Sequence, residues 1–221
     1  DMQPRIVAAM RTAMPATTFV VSTGGPQRVE RLTASKPIGD RNTVYAVHYY
    51  DPMAFTHQGA AWMKPDPIAW LHDVPFPILL GDQRLVKLAA SLRAAGLTSV
   101  AAYVEGFHDR SFGVAEVRAH IRSLADWSTT NGRQVVIGEF GVYRGAVSQV
   151  YRAQWLATVS RAAVDNCIGW THWEYRDGFG LLDGKTGVPD EGTLNALVGI
   201  TPIADRPYGD PPRGTAGAAG R

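Results

Sequence analysis

The chain has 221 residues, with 22 Lys and Arg against 20 Asp and Glu, and hence a formal charge of +2. This near balance, without a Lys/Arg run, gives no footing for nucleic acid, and no apolar stretch approaches the length needed to cross a bilayer. The single cysteine, Cys167, excludes an internal disulfide and any multi-cysteine metal site, and its apolar surroundings read as those of a buried, inert thiol.

The chain opens Asp1-Met2-Gln3-Pro4, with neither an initiator Met nor a signal peptide, which reads as a processed, trimmed or partial chain. Ile6, Val7, Met10 and Met14 fall at helical spacing, and Pro15 ends that helix. Thr17 to Ser22 reads as a strand broken by Thr23-Gly24-Gly25-Pro26, and a short amphipathic stretch follows around Val29 to Ala34. The next strand, Thr43 to Tyr50, stops at Asp51-Pro52. Residues 51 to about 82 form a long irregular segment rich in Pro, Trp, Phe and His, a length usual for a lid or binding loop.

Leu85 to Ala95 reads as a helix ended by Gly96, and Thr98 to Val104 fits either a short strand or a helix. Val117, Ile121, Leu124 and Trp127 mark a helix over Val114 to Thr130, closed by Asn131-Gly132. An apolar strand then carries Val135-Val136-Ile137 to Glu139, with β-branched residues suited to burial on both faces. Gly138 and Gly141 flank the acid and suit a bent backbone or a closely approaching ligand. A helix over Ser148 to Val164, a strand from Ile168 to Glu174, a loop over Gly178 to Asp183 and a helix over Thr193 to Val198 complete the order. Residues 1–206 read as one unit, and 207–221 as a Gly/Pro/Ala-rich flexible tail.

Strands alternating with helices predict an α/β fold with parallel pairing and right-handed crossovers. Four such units are half of a (β/α)8 TIM barrel, whose full form takes about 250 residues. Barrels of this kind place their chemistry at the C-terminal ends of the strands, and Glu139 stands at one. His48 and Tyr50 share one face of their strand, and Trp173 ends another. Around them lie His57, Gln58 and Trp62, a mixture of rings and polar groups that suits a sugar's apolar face and hydroxyls.

Four strings together resemble glycoside hydrolase family 5, the cellulase-like retaining β-glycosidases. They are Val47-His48-Tyr49-Tyr50-Asp51-Pro52, Phe55-Thr56-His57-Gln58-Gly59-Ala60, Ile137-Gly138-Glu139-Phe140-Gly141 with Val142-Tyr143-Arg144, and Gly169-Trp170-Thr171-His172-Trp173-Glu174-Tyr175 through Gly178-Phe179-Gly180-Leu181. Their order matches the family's sixth, seventh and eighth strands, the C-terminal half of its domain. The resemblance implies that Glu139 is the nucleophile, that His48 and Tyr50 line the site beside it, and that Trp173 floors the subsite at the scissile bond. It also implies hydrolysis of a β-linked glucan or related oligosaccharide, no cofactor, and a secreted or periplasmic setting. The family's Asn-Glu-Pro string, which carries the acid/base glutamate, would precede Asp1. The sequence therefore predicts a partner for this half: the N-terminal half of the barrel, or a second copy in a self-dimer.

Retaining hydrolysis needs two carboxyl groups about 5 Å apart. Only Glu105 and Glu174 are available as substitutes here, and alternation turns Glu174 to the face opposite Trp173. His57, His72 and His108 have no metal-ligand spacing. For His57 and Gln58, loop shaping competes with sugar contact, and for Trp62 and Trp70, lid packing competes with outer stacking. The rival from another class is a non-catalytic carbohydrate-binding or structural barrel remnant.

Overall fold

The computed structural model describes residues 2–107 and 110–199. His108 and the tail from 207 lie outside those residues. Four parallel strands form one sheet in sequence order: β1 (Phe19–Ser22), β2 (Thr43–Tyr49), β3 (Gln134–Phe140) and β4 (Gly169–Trp170). The helices are α1 (Met2–Ala13), α2 (Val29–Thr33), α3 (Met53–Thr56), α4 (Gln83–Ala94), α5 (Thr98–Glu105), α6 (Val114–Asn131), α7 (Gln149–Asp165) and α8 (Glu191–Val198). Each element of the sequence reading is present, and β4 is the most shortened. The ambiguous segment after Gly96 is helical because Val100, Ala101 and Val104 fall on one buried face.

The strands bury mainly one face, with Ala46 the buried residue of β2 on the other. Tyr45, Val47 and Tyr49 of β2 and Val135, Ile137 and Phe140 of β3 are buried, and belong to a core shared with Val117, Ile121 and Leu124 of α6 and with Trp155, Leu156 and Val159 of α7. The opposite face, with Val44, His48, Val136 and Glu139, is half-buried, and Val20 of β1 is 67% exposed. Burial of β3 on both faces is thus not found within this chain. In a closed barrel this second face is packed by inward side chains from the other strands. Here β1 and β4 end the sheet instead.

Cys167 is exposed rather than buried. It lies between the end of α7 and Ile168 with φ at +55°, so its backbone turns out of the helix before the buried strand approach begins.

Candidate active site

Local backbone geometry brings Glu139 level with His48. Register along β2 and β3 runs Val47 to Ile137 and then His48 to Glu139, so Gly138 is one extra residue in β3. An inserted residue bends a strand and re-aims the side chain that follows it. The outcome is a two-point hold on one carboxylate oxygen. The Tyr50 hydroxyl donates to Glu139 Oε2 at 3.0 Å, and His48 Nδ1 lies 3.3 Å from the same oxygen. Glu139 Oε1 takes no hydrogen bond from any described residue. Burial, the nearby Glu139 charge and this hydrogen bond together push the Tyr50 phenol far above its ordinary pKa, which keeps it a proton donor.

A cleft of about 550 Å³ opens over this pair, lined by Tyr50, His57, Trp62, Glu139, Tyr143, Trp173, Glu174, Gly178 and Phe179. Its walls come from the ends of β2 and β3 and from the loops after β2, β3 and β4. Trp62 meets Tyr143 edge-on at 4.9 Å between ring centres and lies 6.2 Å from Phe179. Trp173 is 45% exposed, so its ring is a cleft surface and not core. The Trp173 N–H donates to Phe140 O at 2.9 Å, which ties its loop to β3. Gly141 is needed for that approach, since a Cβ there would lie 2.2 Å from the Trp173 carbonyl oxygen. The closely approaching group is therefore backbone and not ligand. Gly178 has a comparable role: a Cβ there would meet the Tyr143 ring at 2.6 Å.

Three expectations change. Gln58 is fully buried, and its amide is spent within the fold: Nε2 donates to Phe55 O and Val74 O, and Oε1 accepts from Val74 N. It staples the long loop and has no polar group left for a sugar. Glu174 does not turn away from Trp173. The sheet ends at Trp170, so strand alternation does not reach these residues, and both line the cleft. Glu174 Oε1 also accepts from Phe179 N at 3.3 Å, which shapes its own loop. Glu105 is paired with Arg93 on the surface at 2.6 Å, away from the lining residues.

Among the other readings, His57 and Trp62 line the cleft, whereas Trp70 is outside its lining and carries Lys64 Nζ 4.5 Å from its ring centre. No group of three or more metal-ligating side chains occurs among the described residues. No described helix is long and apolar enough to cross a membrane. Tyr143 and Phe179 are cleft residues that sequence reasoning did not single out, although Gly178-Phe179-Gly180 is the pattern of a ring presented on a loop.

The family model for cellulase (glycosyl hydrolase family 5) matches residues 1–176. The chain belongs to glycoside hydrolase family 5. Endoglucanase 3 of Fibrobacter succinogenes (strain ATCC 19169 / S85) is 26% identical over 178 residues, which are 80% of this chain and 26% of that protein. A hyperthermophilic endo-beta-1,4-glucanase solved in complex with substrate superposes with a TM-score of 0.66 at 24% identity, over 89% of this chain and 52% of the other. The cellulose synthase subunit Z (CcsZ) of Clostridioides difficile gives the same TM-score at 20% identity, over 88% and 54%. This family 5 chain thus spans about half the length of the solved structures it matches and about a quarter of the curated relative. Its four-stranded parallel sheet with alternating helices corresponds to part of their barrel.

Proposed function

We propose that this chain is the nucleophile-bearing half of a retaining β-glucan hydrolase. The observation that carries the proposal is the Glu139 carboxylate lining an aromatic cleft, with Oε2 held by Tyr50 and His48 and Oε1 without a hydrogen bond from any described residue. A carboxylate oriented through one oxygen keeps the other for attack on an anomeric carbon. The reaction then runs through a glycosyl ester on Glu139, resolved by water with the help of a separate acid/base carboxyl. Tyr50 and His48 place the nucleophile and moderate its charge. Trp62, Tyr143 and Trp173 supply the apolar faces on which pyranose rings stack, and buried Phe179 backs them. The relatives named endoglucanase and endo-beta-1,4-glucanase favour a β-linked glucan as the substrate class.

The acid/base belongs to a preceding half of the barrel. Val20, Val44 and Val136 leave an apolar sheet face incompletely covered, and Met2, Ile6 and Met10 leave α1 with an exposed apolar stripe. Monomers rarely carry such surface. We expect the isolated chain to be larger than a monomer by light scattering and to release no reducing sugar from a soluble β-1,4-glucan. Joined to an N-terminal half that carries an Asn-Glu-Pro strand, it should be monomeric and active. An active monomer of 1–221 alone would overturn the assignment of the second carboxyl.

Trp173→Ala removes a stacking face that is worth about 0.5–1.5 kcal/mol. Calorimetry on the completed barrel should show cello-oligosaccharide affinity reduced roughly three- to tenfold. Unchanged affinity in a folded variant would remove Trp173 from the subsite.

A further inference from the structure

Thr56 is fully buried at the end of α3, and its hydroxyl has two neighbours. Oγ1 lies 2.6 Å from the backbone oxygen of Tyr50 and 2.9 Å from Nδ1 of His57. A hydroxyl has one proton, and a carbonyl oxygen has none. At 2.6 Å the Thr56 proton must lie toward Tyr50 O, because two facing lone pairs at that distance would repel. The Thr56 oxygen is then an acceptor toward His57, and Nδ1 must carry the proton.

We infer that Thr56 is a positioning residue that fixes His57 as its Nδ1–H tautomer, so that Nε2 offers a lone pair in the cleft to a hydroxyl of the bound sugar. Three further observations agree. His57 lines the cleft, and Nε2 takes no bond from any described residue. The ring is held edge-on between Tyr50 at 5.0 Å and Phe179 at 5.4 Å, so it has little freedom to turn over. Burial pushes the imidazole down to about 4, so near pH 7 the ring is neutral and Nε2 is an acceptor and not a second donor.

The same hydroxyl holds the backbone of Tyr50, the residue that donates to Glu139, and the Thr56 carbonyl accepts from Tyr143 N at 2.8 Å. One buried threonine thereby links the nucleophile's donor, the sugar-facing histidine and the loop after β3. The sugar contact rests on the hydrolase reading above, whereas the tautomer does not.

The test is nitrogen-15 NMR of the histidine-labelled protein joined to its N-terminal barrel half, with the His57 signals assigned by their loss in His57→Gln. Wild type should show a protonated Nδ1 and an unprotonated Nε2. Thr56→Val should pass to the Nε2–H form that unconstrained imidazoles prefer, and Thr56→Ser should keep the wild-type pattern. Cellotetraose should shift the Nε2 resonance, and kcat/KM should fall about three- to tenfold in Thr56→Val and recover in Thr56→Ser.

A wild-type ring protonated at Nε2 overturns the inference even if Thr56→Val does not fold. So does a folded Thr56→Val variant that keeps Nδ1–H. Saturation with cellotetraose that leaves Nε2 unmoved removes the acceptor role. An Nδ1–H ring in a protein without hydrolase activity upholds the tautomer and sinks the hydrolase reading instead.

Discussion

Glu139→Gln in the completed barrel is expected to abolish turnover of a β-glucan while the fold stays almost unchanged. The amide has the shape of the carboxylate, and its oxygen can still accept the Tyr50 proton that now goes to Glu139 Oε2. It cannot attack an anomeric carbon to form a glycosyl ester, so the covalent route closes. A loss of roughly four orders of magnitude or more in kcat is expected, equivalent to about 5 kcal/mol of transition-state stabilisation. The folding cost should be within about 1 kcal/mol, since the Glu139 side chain is 28% exposed and needs no charge partner for burial. Oligosaccharide affinity should survive because the stacking rings are untouched. Residual activity above a few per cent of wild type, in a variant with native thermal unfolding, would show that Glu139 is not the nucleophile.

The strand-end placement of Glu139, His48 and Tyr50 is legible in the sequence because it is local. Each sits at or next to the C-terminal end of an apolar strand, and alternation alone sets His48 and Tyr50 on one face. The structure brings both to the same carboxylate oxygen. Helices with a clear apolar stripe, such as α6 with Val117, Ile121, Leu124 and Trp127, were legible for the same reason. What failed depends on contacts distant in the chain or on where regular pairing stops. Gln58 reads as a loop polar group, and only its bonds to Val74, 16 residues away, turn it into a buried staple. Alternation sets the face of Glu174 only while strand pairing lasts, and pairing ends at Trp170. The apolar neighbours of Cys167 point to burial, whereas the left-handed turn at its own backbone decides its exposure. The uncovered sheet face follows from the count of four strands, because a half-barrel has nothing to fill its inner side.

Arg152 gave no signal at all in the sequence, yet its removal should have the largest effect on stability. An arginine on a long helix ordinarily reads as solvated, but this one is fully buried and all five of its N–H groups are used. Nε donates to Val142 O at 3.0 Å, just beyond β3. Nη1 donates to Asp190 Oδ2 and Thr193 Oγ1, at the N-terminus of α8. Nη2 donates to Phe179 O at 2.9 Å and Gly180 O at 3.2 Å, in the loop that forms one wall of the cleft. Burial raises the Asp190 carboxyl, but the Thr193 N–H bond and the Arg152 charge outweigh it and hold its pKa below the ordinary range. Arg152→Met fits the aliphatic path but leaves a half-desolvated carboxylate and the carbonyls of Val142 and Phe179 without their donor. Breaking such a pair from one side costs about 3–5 kcal/mol, a large share of the 5–15 kcal/mol typical of a whole domain. Urea unfolding of the completed barrel should show that loss with an unchanged m-value. The sign of the pH dependence follows from the depressed Asp190 value. Its contribution is present in wild type above about pH 4 and fades as pH falls through the folded-state value, so the wild-type and Met curves should converge in acid. Arg152→Lys keeps the charge with three donors in place of five, and should fall between the two. A destabilisation of Arg152→Met below about 1 kcal/mol would mean that the β3 end, the cleft loop and α8 are held together by packing alone.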